Sequence, residues 1–132
     1  MLIWIFAVLG LYFLQTLIAP FTQTYFSKGT LGERLWRGLG TRDTLPALDV
    51  TGERAHRALK NLQESLPYFL TFAVLAIVLE REDGLANLGA RIFFVFRMLY
   101  LPTYVMGIPV IRSALWLGGF AGIVVMGVAL VV

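Results

Sequence analysis

Residues 113–132 read SALWLGGFAGIVVMGVALVV, a run without one charged side chain. At 1.5 Å of rise per helical residue, about 20 such residues cross the roughly 30 Å hydrocarbon layer of a bilayer. The first 27 residues, MLIWIFAVLGLYFLQTLIAPFTQTYFS, are also free of charge. Between these two runs the charges crowd together: residues 28–64 hold 12 of the 19 in the 132-residue chain. Apolar residues make up 58% and charged residues 14%, and the mean hydropathy is +0.78. Soluble domains carry roughly 25% charged residues. The chain is therefore expected to be an all-α integral membrane protein, and neither a disordered nor a soluble one.

The net charge of +3 does not point to nucleic acid. The basic residues flank hydrophobic spans, where they set orientation in the membrane instead. Cysteine is absent, which excludes disulfides, thiolate metal sites and a cysteine nucleophile. Any thiol chemistry needs a thiol brought by a ligand. The N-terminal run lacks the basic start of a signal peptide and is longer than the usual apolar segment of one, so it reads as a first transmembrane helix.

Working inward, helix one is expected from Leu2 to about Phe26, with Trp4 and Tyr25 as interfacial aromatics and Pro20 placed to kink it. A Gly-rich polar loop, about 28–52, follows. The next uncharged run, Ser65 to Leu79, has only 15 residues, about 22 Å of helix and too short to span. Helix two must start upstream, near Glu53, and is placed at about 53–79. A polar turn at Glu80 to Gly84 leads to helix three, about 88–106, with Arg97 inside it. Gly107 and Pro109 break that helix, and helix four is expected over about 110–132. The result is a four-transmembrane-helix bundle in a single domain, 1–132, with both termini on one side. The first loop, helix-two start and third turn carry eight Lys and Arg, against two in the middle turn. The positive-inside rule puts the first loop in the cytoplasm of a cell (inner) membrane protein and both termini opposite. Gly118 and Gly122 form a GxxxG that invites close approach by another helix.

Two constellations carry chemistry. Arg54, Arg57, Asn61 and Glu64 are spaced +3, +4 and +3, within about 80° on one helix face. Such a stripe is built to meet something polar, or to pair with lipid phosphates and Glu53. Arg97, Tyr100 and Tyr104 lie within about 60° on one face of helix three. Arg97 has no acidic residue on its own helix. Its charge must be met by another helix, with Glu64 one choice, or by an anionic ligand, because an unpaired cation in hydrocarbon costs several kcal/mol. The tyrosines serve either the same site or the interface. His56 points off the charged stripe, and Glu80, Glu82 and Asp83 read as a solvated turn. No metal signature, phosphate loop or Ser/His/Asp set is present. A drug–proton antiporter is disfavoured, since helix one has no acidic residue to carry the proton.

The stretch GERAHRALKNLQESLPYF, residues 52–69, resembles the second helix of the MAPEG family, the membrane-associated proteins in eicosanoid and glutathione metabolism. The pattern E-R-x-x-R-A-x-x-N-x-x-E falls here on Glu53, Arg54, Arg57, Ala58, Asn61 and Glu64. Arg97, Tyr100 and Tyr104 match the family's R-x-x-Y-x-x-x-Y, and GTRDTLPAL, residues 40–48, is similar to its short bacterial branch. The resemblance covers essentially the whole chain.

It implies a homotrimer that binds glutathione between subunits near the cytoplasmic face. The bound thiol would be a co-substrate for conjugating lipophilic electrophiles or reducing lipid hydroperoxides, a transferase or peroxidase activity without metal. The implied glutathione ligands are Arg54, Arg57, Asn61, Glu64, Arg97, Tyr100 and Tyr104. Guanidinium forks suit the ligand's two carboxylates, and Glu64 suits its ammonium. Arg112, with Arg97 next in line, is the candidate catalytic residue that favours the thiolate, although its spacing after Tyr104 departs from the family's. Ser65 departs where relatives place a tyrosine. Some members bind lipid and catalyse nothing, so a non-catalytic lipid-binding or scaffold protein of the same fold is the alternative.

Overall fold

The computed structural model describes residues 1–26, 30–33, 36, 50–82 and 84–132, with side chains of the first helix described as far as Ile18. Among these residues the architecture is all-α: α1 Leu2–Phe26, α2 Val50–Val78, α3 Gly84–Met106 and α4 Pro109–Val131. Helices α2, α3 and α4 are each long and apolar enough to cross a membrane, while α1 contributes a shorter apolar run, Leu2–Ile18. The chain is thus a multi-span membrane protein. Most of the loop expected at 28–52, with the GTRDTLPAL stretch, and Asp83 lie outside the described residues, as do the side chains of Pro20 and Tyr25.

Helix α2 starts at Val50, with Glu53 in its first turn, where a carboxylate offsets the partial positive charge of a helix N-terminus. It continues through Pro67, and α3 through Pro102; membrane helices tolerate this because neighbouring groups take over the freed backbone bonds. Near the first of these prolines the Ser65 hydroxyl donates to the carbonyls of Asn61 and Leu62. Helix α3 begins at Gly84, not at the expected Leu88. The added first turn carries Asn87, which accepts from Trp4 Nε1 at 2.8 Å and donates to the Glu82 carbonyl.

The inward faces follow helical spacing. On α2 they include Ala58, Leu62, Ser65, Phe69, Ala73 and Ala76, and on α3 Ala86, Gly89, Ala90, Phe93, Arg97 and Tyr100. Phe69 and Phe93 stack at 4.6 Å in the middle of the core. Many large apolar side chains point outward instead, among them Phe6, Phe13, Val110, Leu117 and Val128. A surface of that kind belongs against lipid or further protein.

The glycines of α4 pack within the protomer. A Cβ on Gly122 would lie 2.7 Å from the Gly89 carbonyl oxygen and from the Phe93 nitrogen, and a Cβ on Gly118 would meet the Phe96 ring at 2.2 Å. The close approach anticipated for the GxxxG pair is therefore made by α3 of the same chain. It gives no argument about assembly.

Candidate functional site

Helix α3 carries the polar centre. Arg97 sits at mid-helix on the inward face with 2% of its surface exposed, and its Nε and Nη1 have no hydrogen-bond partner among the described residues. Its guanidinium lies between two rings, 5.4 Å from the Phe93 centroid and 5.6 Å from that of Tyr100. Cation–π contact of this kind recovers only part of the lost hydration. Room for the side chain comes from Gly119 of α4, where a Cβ would stand 3.2 Å from Arg97 Nε. Among the described residues Arg97 and Glu64 form no direct ion pair: Glu64 is exposed, and its charge reaches Arg97 only at longer range.

Tyr100 is one turn further along and 5% exposed. It packs against Tyr104 at 5.4 Å between ring centroids, and the Arg112 guanidinium lies over the Tyr104 ring at 4.9 Å. Arg112 stands in the first turn of α4, next to the break at Gly107 and Pro109. These groups open onto a cavity of about 450 Å³ lined by Asn61, Tyr100, Tyr104 and Arg112. Ser113, Trp116 and Leu117 complete its α4 wall.

The structure thus brings together Asn61, Tyr100, Tyr104 and Arg112, with Arg97 directly behind Tyr100 on the same face. The α2 stripe also makes contacts within the protomer. Arg54 donates through Nη1 to the carbonyl of Val105 at 3.1 Å. Arg57 pairs with Glu53 at 3.7 Å, both about half exposed. Asn61 donates from Nδ2 to the Arg57 carbonyl at 3.1 Å, which leaves its Oδ1 for the cavity. His56 is exposed.

Ser113, Trp116 and Leu117 were not anticipated. They follow Arg112 at i+1, i+4 and i+5, on one side of a helix that is apolar over the rest of its surface, so no periodic stripe marks them. Glu82, read as solvated, lies 3.1 Å from the Met1 amino group, and Arg91 sits 5.8 Å from the Trp4 ring. Among the described residues no three His, Cys, Asp or Glu are close enough to hold a metal ion.

An all-α, multi-span membrane protein with one cation, hydroxyls and aromatic rings lining a cavity, and a second cation buried behind them, is the class that fold and site define. Within that class, the family model of the MAPEG family matches residues 1–132. The chain belongs to the MAPEG family. No curated protein and no solved structure matches it.

Proposed function

We propose that this protein is an integral membrane, glutathione-dependent transferase or peroxidase whose apolar co-substrate reaches the site from the bilayer. The observation that carries the reading is Arg97: a buried cation with two unpartnered nitrogens, beside a cavity lined by Tyr100, Tyr104 and Arg112. A buried charge of this kind calls for an anion, and glutathione brings two carboxylates and a thiol. The match to a family with many glutathione-using members supports the same ligand.

Arg57, Asn61, Glu64, Arg97, Tyr100 and Tyr104 then bind the peptide, with Glu64 taking its ammonium. Arg112 stabilises the thiolate, since a nearby cation favours the ionised sulfur. In conjugation the sulfur forms a bond to an electrophilic carbon while the leaving group departs with its electron pair. In hydroperoxide reduction the thiolate takes the terminal OH as the O–O bond breaks, giving a sulfenic acid and an alkoxide; the alkoxide is protonated to an alcohol, and a second glutathione thiol displaces water from the sulfenic acid to give the disulfide. The exposed apolar wall at Trp116 and Leu117 is suited to a lipophilic partner.

The same reading has α1 as the fourth span, the basic first loop in the cytoplasm and three protomers in the assembly. Glu64, exposed in the protomer, would meet a ligand held between subunits. Native mass spectrometry in mild detergent should record trimers, and monomers alone would contradict this arrangement.

A second reading is favoured by Arg54 and Arg57, whose charges are already engaged within the protomer. On that reading the protein is a non-catalytic lipid-binding scaffold of the same fold. Calorimetric titration of the detergent-purified protein with glutathione separates the two. Saturable binding followed by turnover of a generic aromatic electrophile supports the enzyme, and lipid binding without glutathione binding supports the scaffold.

A further inference from the structure

Arg54 shares its helix face with the residues just assigned to glutathione, yet its guanidinium points to the far end of α3. Its Nη1 donates to Val105, one of the last four carbonyls of α3, which have no partner within their helix. That end of a helix carries partial negative charge and favours a cation. The next residue but one, Gly107, has φ +76°, the left-handed conformation in which glycine ends helices. Its amide donates to the Tyr104 carbonyl at 3.1 Å, and the Ile108 amide donates to that of Thr103 at 3.4 Å. These are the paired bonds of a Schellman termination.

The guanidinium occupies the space that glycine leaves. A Cβ on Gly107 would lie 2.7 Å from Arg54 Nη1 and 3.0 Å from Cζ. Helix α4 begins two residues later at Pro109, and the amide of Arg112 donates to the carbonyl of Ile108 at 3.2 Å. The height of Arg112 over Tyr104 is therefore set by the turn that Arg54 grips.

We propose that Arg54 is a positioning residue: through Val105 and Gly107 it fixes the turn between α3 and α4, and so places Arg112 at the cavity. The part concerning Arg112 rests on the glutathione reading; the grip on the turn does not. Arg54 differs in this from Arg57, Asn61 and Glu64, to which a direct ligand contact is assigned.

Two measurements test it. Hydrogen exchange in residues 103–112 of the ligand-free protein reads the grip alone. Arg54→Ala should speed exchange of the Gly107 and Ile108 amides on the order of tenfold, the weight of one charge-assisted bond. Gly107→Ala should speed it at least as much, because its Cβ expels the guanidinium and alanine is strained at φ +76°, and adding Arg54→Ala to it should change little further. Unchanged exchange in Arg54→Ala overturns the proposal whether or not glutathione binds. Kinetics then read the placement of Arg112. In Arg54→Ala, kcat at saturating glutathione should fall on the order of tenfold while the dissociation constant stays within about twofold. The thiolate titration should move toward that of the free thiol, and Arg54→Lys, which keeps a cation able to reach one carbonyl, should recover part of the loss. A weakened dissociation constant with unchanged kcat would make Arg54 a ligand instead. Wild-type protein that binds no glutathione would end the functional reading, and the exchange result would still decide the grip.

Discussion

The two ends of the helix bundle differ in what they leave over: one engages its polar groups with one another, the other keeps a cavity and unpartnered nitrogens besides its engaged pairs. At the end formed by the start of α1 and the turn between α2 and α3, polar groups are engaged with one another. The Met1 amino group meets Glu82, Trp4 donates to Asn87, Arg91 lies over the Trp4 ring, and Arg81 donates to the Leu130 carbonyl at 3.2 Å. In the half that holds Arg97 and Arg112, Arg54 and Arg57 are engaged as well, but Arg97 has two nitrogens without a hydrogen-bond partner among the described residues, and Asn61, Tyr100, Tyr104 and Arg112 line a cavity. Engaged polar groups fasten helices, whereas unengaged ones in a low-dielectric layer raise the free energy unless a ligand meets them. The first region is built for the fold and the second for binding.

The sharpest way to break this division is through the packing both regions share. Leucine at Gly122 would drive side-chain atoms into the backbone of Gly89 and Phe93. Gly122→Leu should cost about 3 kcal/mol, the upper end for overpacking, and abolish ligand binding with it. Thermal unfolding in detergent reads the first effect. A variant with wild-type stability would mean that α3 and α4 do not touch there.

Arg97 should behave in the opposite sense. Arg97→Met removes a buried charge that has no hydrogen-bonded partner on Nε or Nη1, and replacing such charges by apolar volume is often neutral or stabilising. Its unfolding temperature should be unchanged or higher, while glutathione affinity falls by about 2 kcal/mol, the weight of a charged hydrogen bond. If Arg97→Met unfolds and binding survives in the remaining folded fraction, Arg97 belongs to the scaffold.

That contrast bears on what could be read from residues alone. The charge-free runs at either end marked helices, and the spacing of Arg97, Tyr100 and Tyr104 placed them on one face, because both signals are local and periodic. The α4 wall of the cavity was hidden by uniformity. In a helix apolar all round, no stripe distinguishes Trp116 and Leu117 from their neighbours. The GxxxG signal at Gly118 and Gly122 was correct about close approach but silent about the partner, which proved to be α3. Contacts between remote positions, such as Arg54 with Val105 or Met1 with Glu82, carry no local trace. The direction of the Arg54 side chain therefore had to come from coordinates.

Smaller effects refine the boundary between the two regions. Glu64→Gln keeps the shape and removes the carboxylate, so glutathione affinity should fall roughly tenfold without loss of stability. Raising the salt concentration should weaken wild-type binding as well, since charge pairs near an open rim are screened. Unchanged affinity would remove Glu64 from the site. Trp4→Phe deletes the hydrogen bond to Asn87 in the opposite region. It should lower stability by about 1 kcal/mol and leave glutathione binding untouched; a change in binding would mean that the two regions are coupled.

The most direct test of the claim that the unengaged cations form a thiolate site is ultraviolet absorbance of bound glutathione against pH, in wild type and in Arg112→Ala. A cysteine thiol has a pKa of about 8.5 when free, and a cation beside the sulfur lowers it in the complex. The ionised sulfur should therefore persist below the free value, and the affinity it contributes, full above the free pKa, should be lost progressively as pH falls from there through the lowered pKa. In Arg112→Ala the midpoint should move up toward the free thiol, with the rate at saturating glutathione reduced and partly recovered at higher pH. Glutathione that binds to wild type yet stays a thiol at neutral pH would contradict the enzyme reading and leave the lipid-binding one.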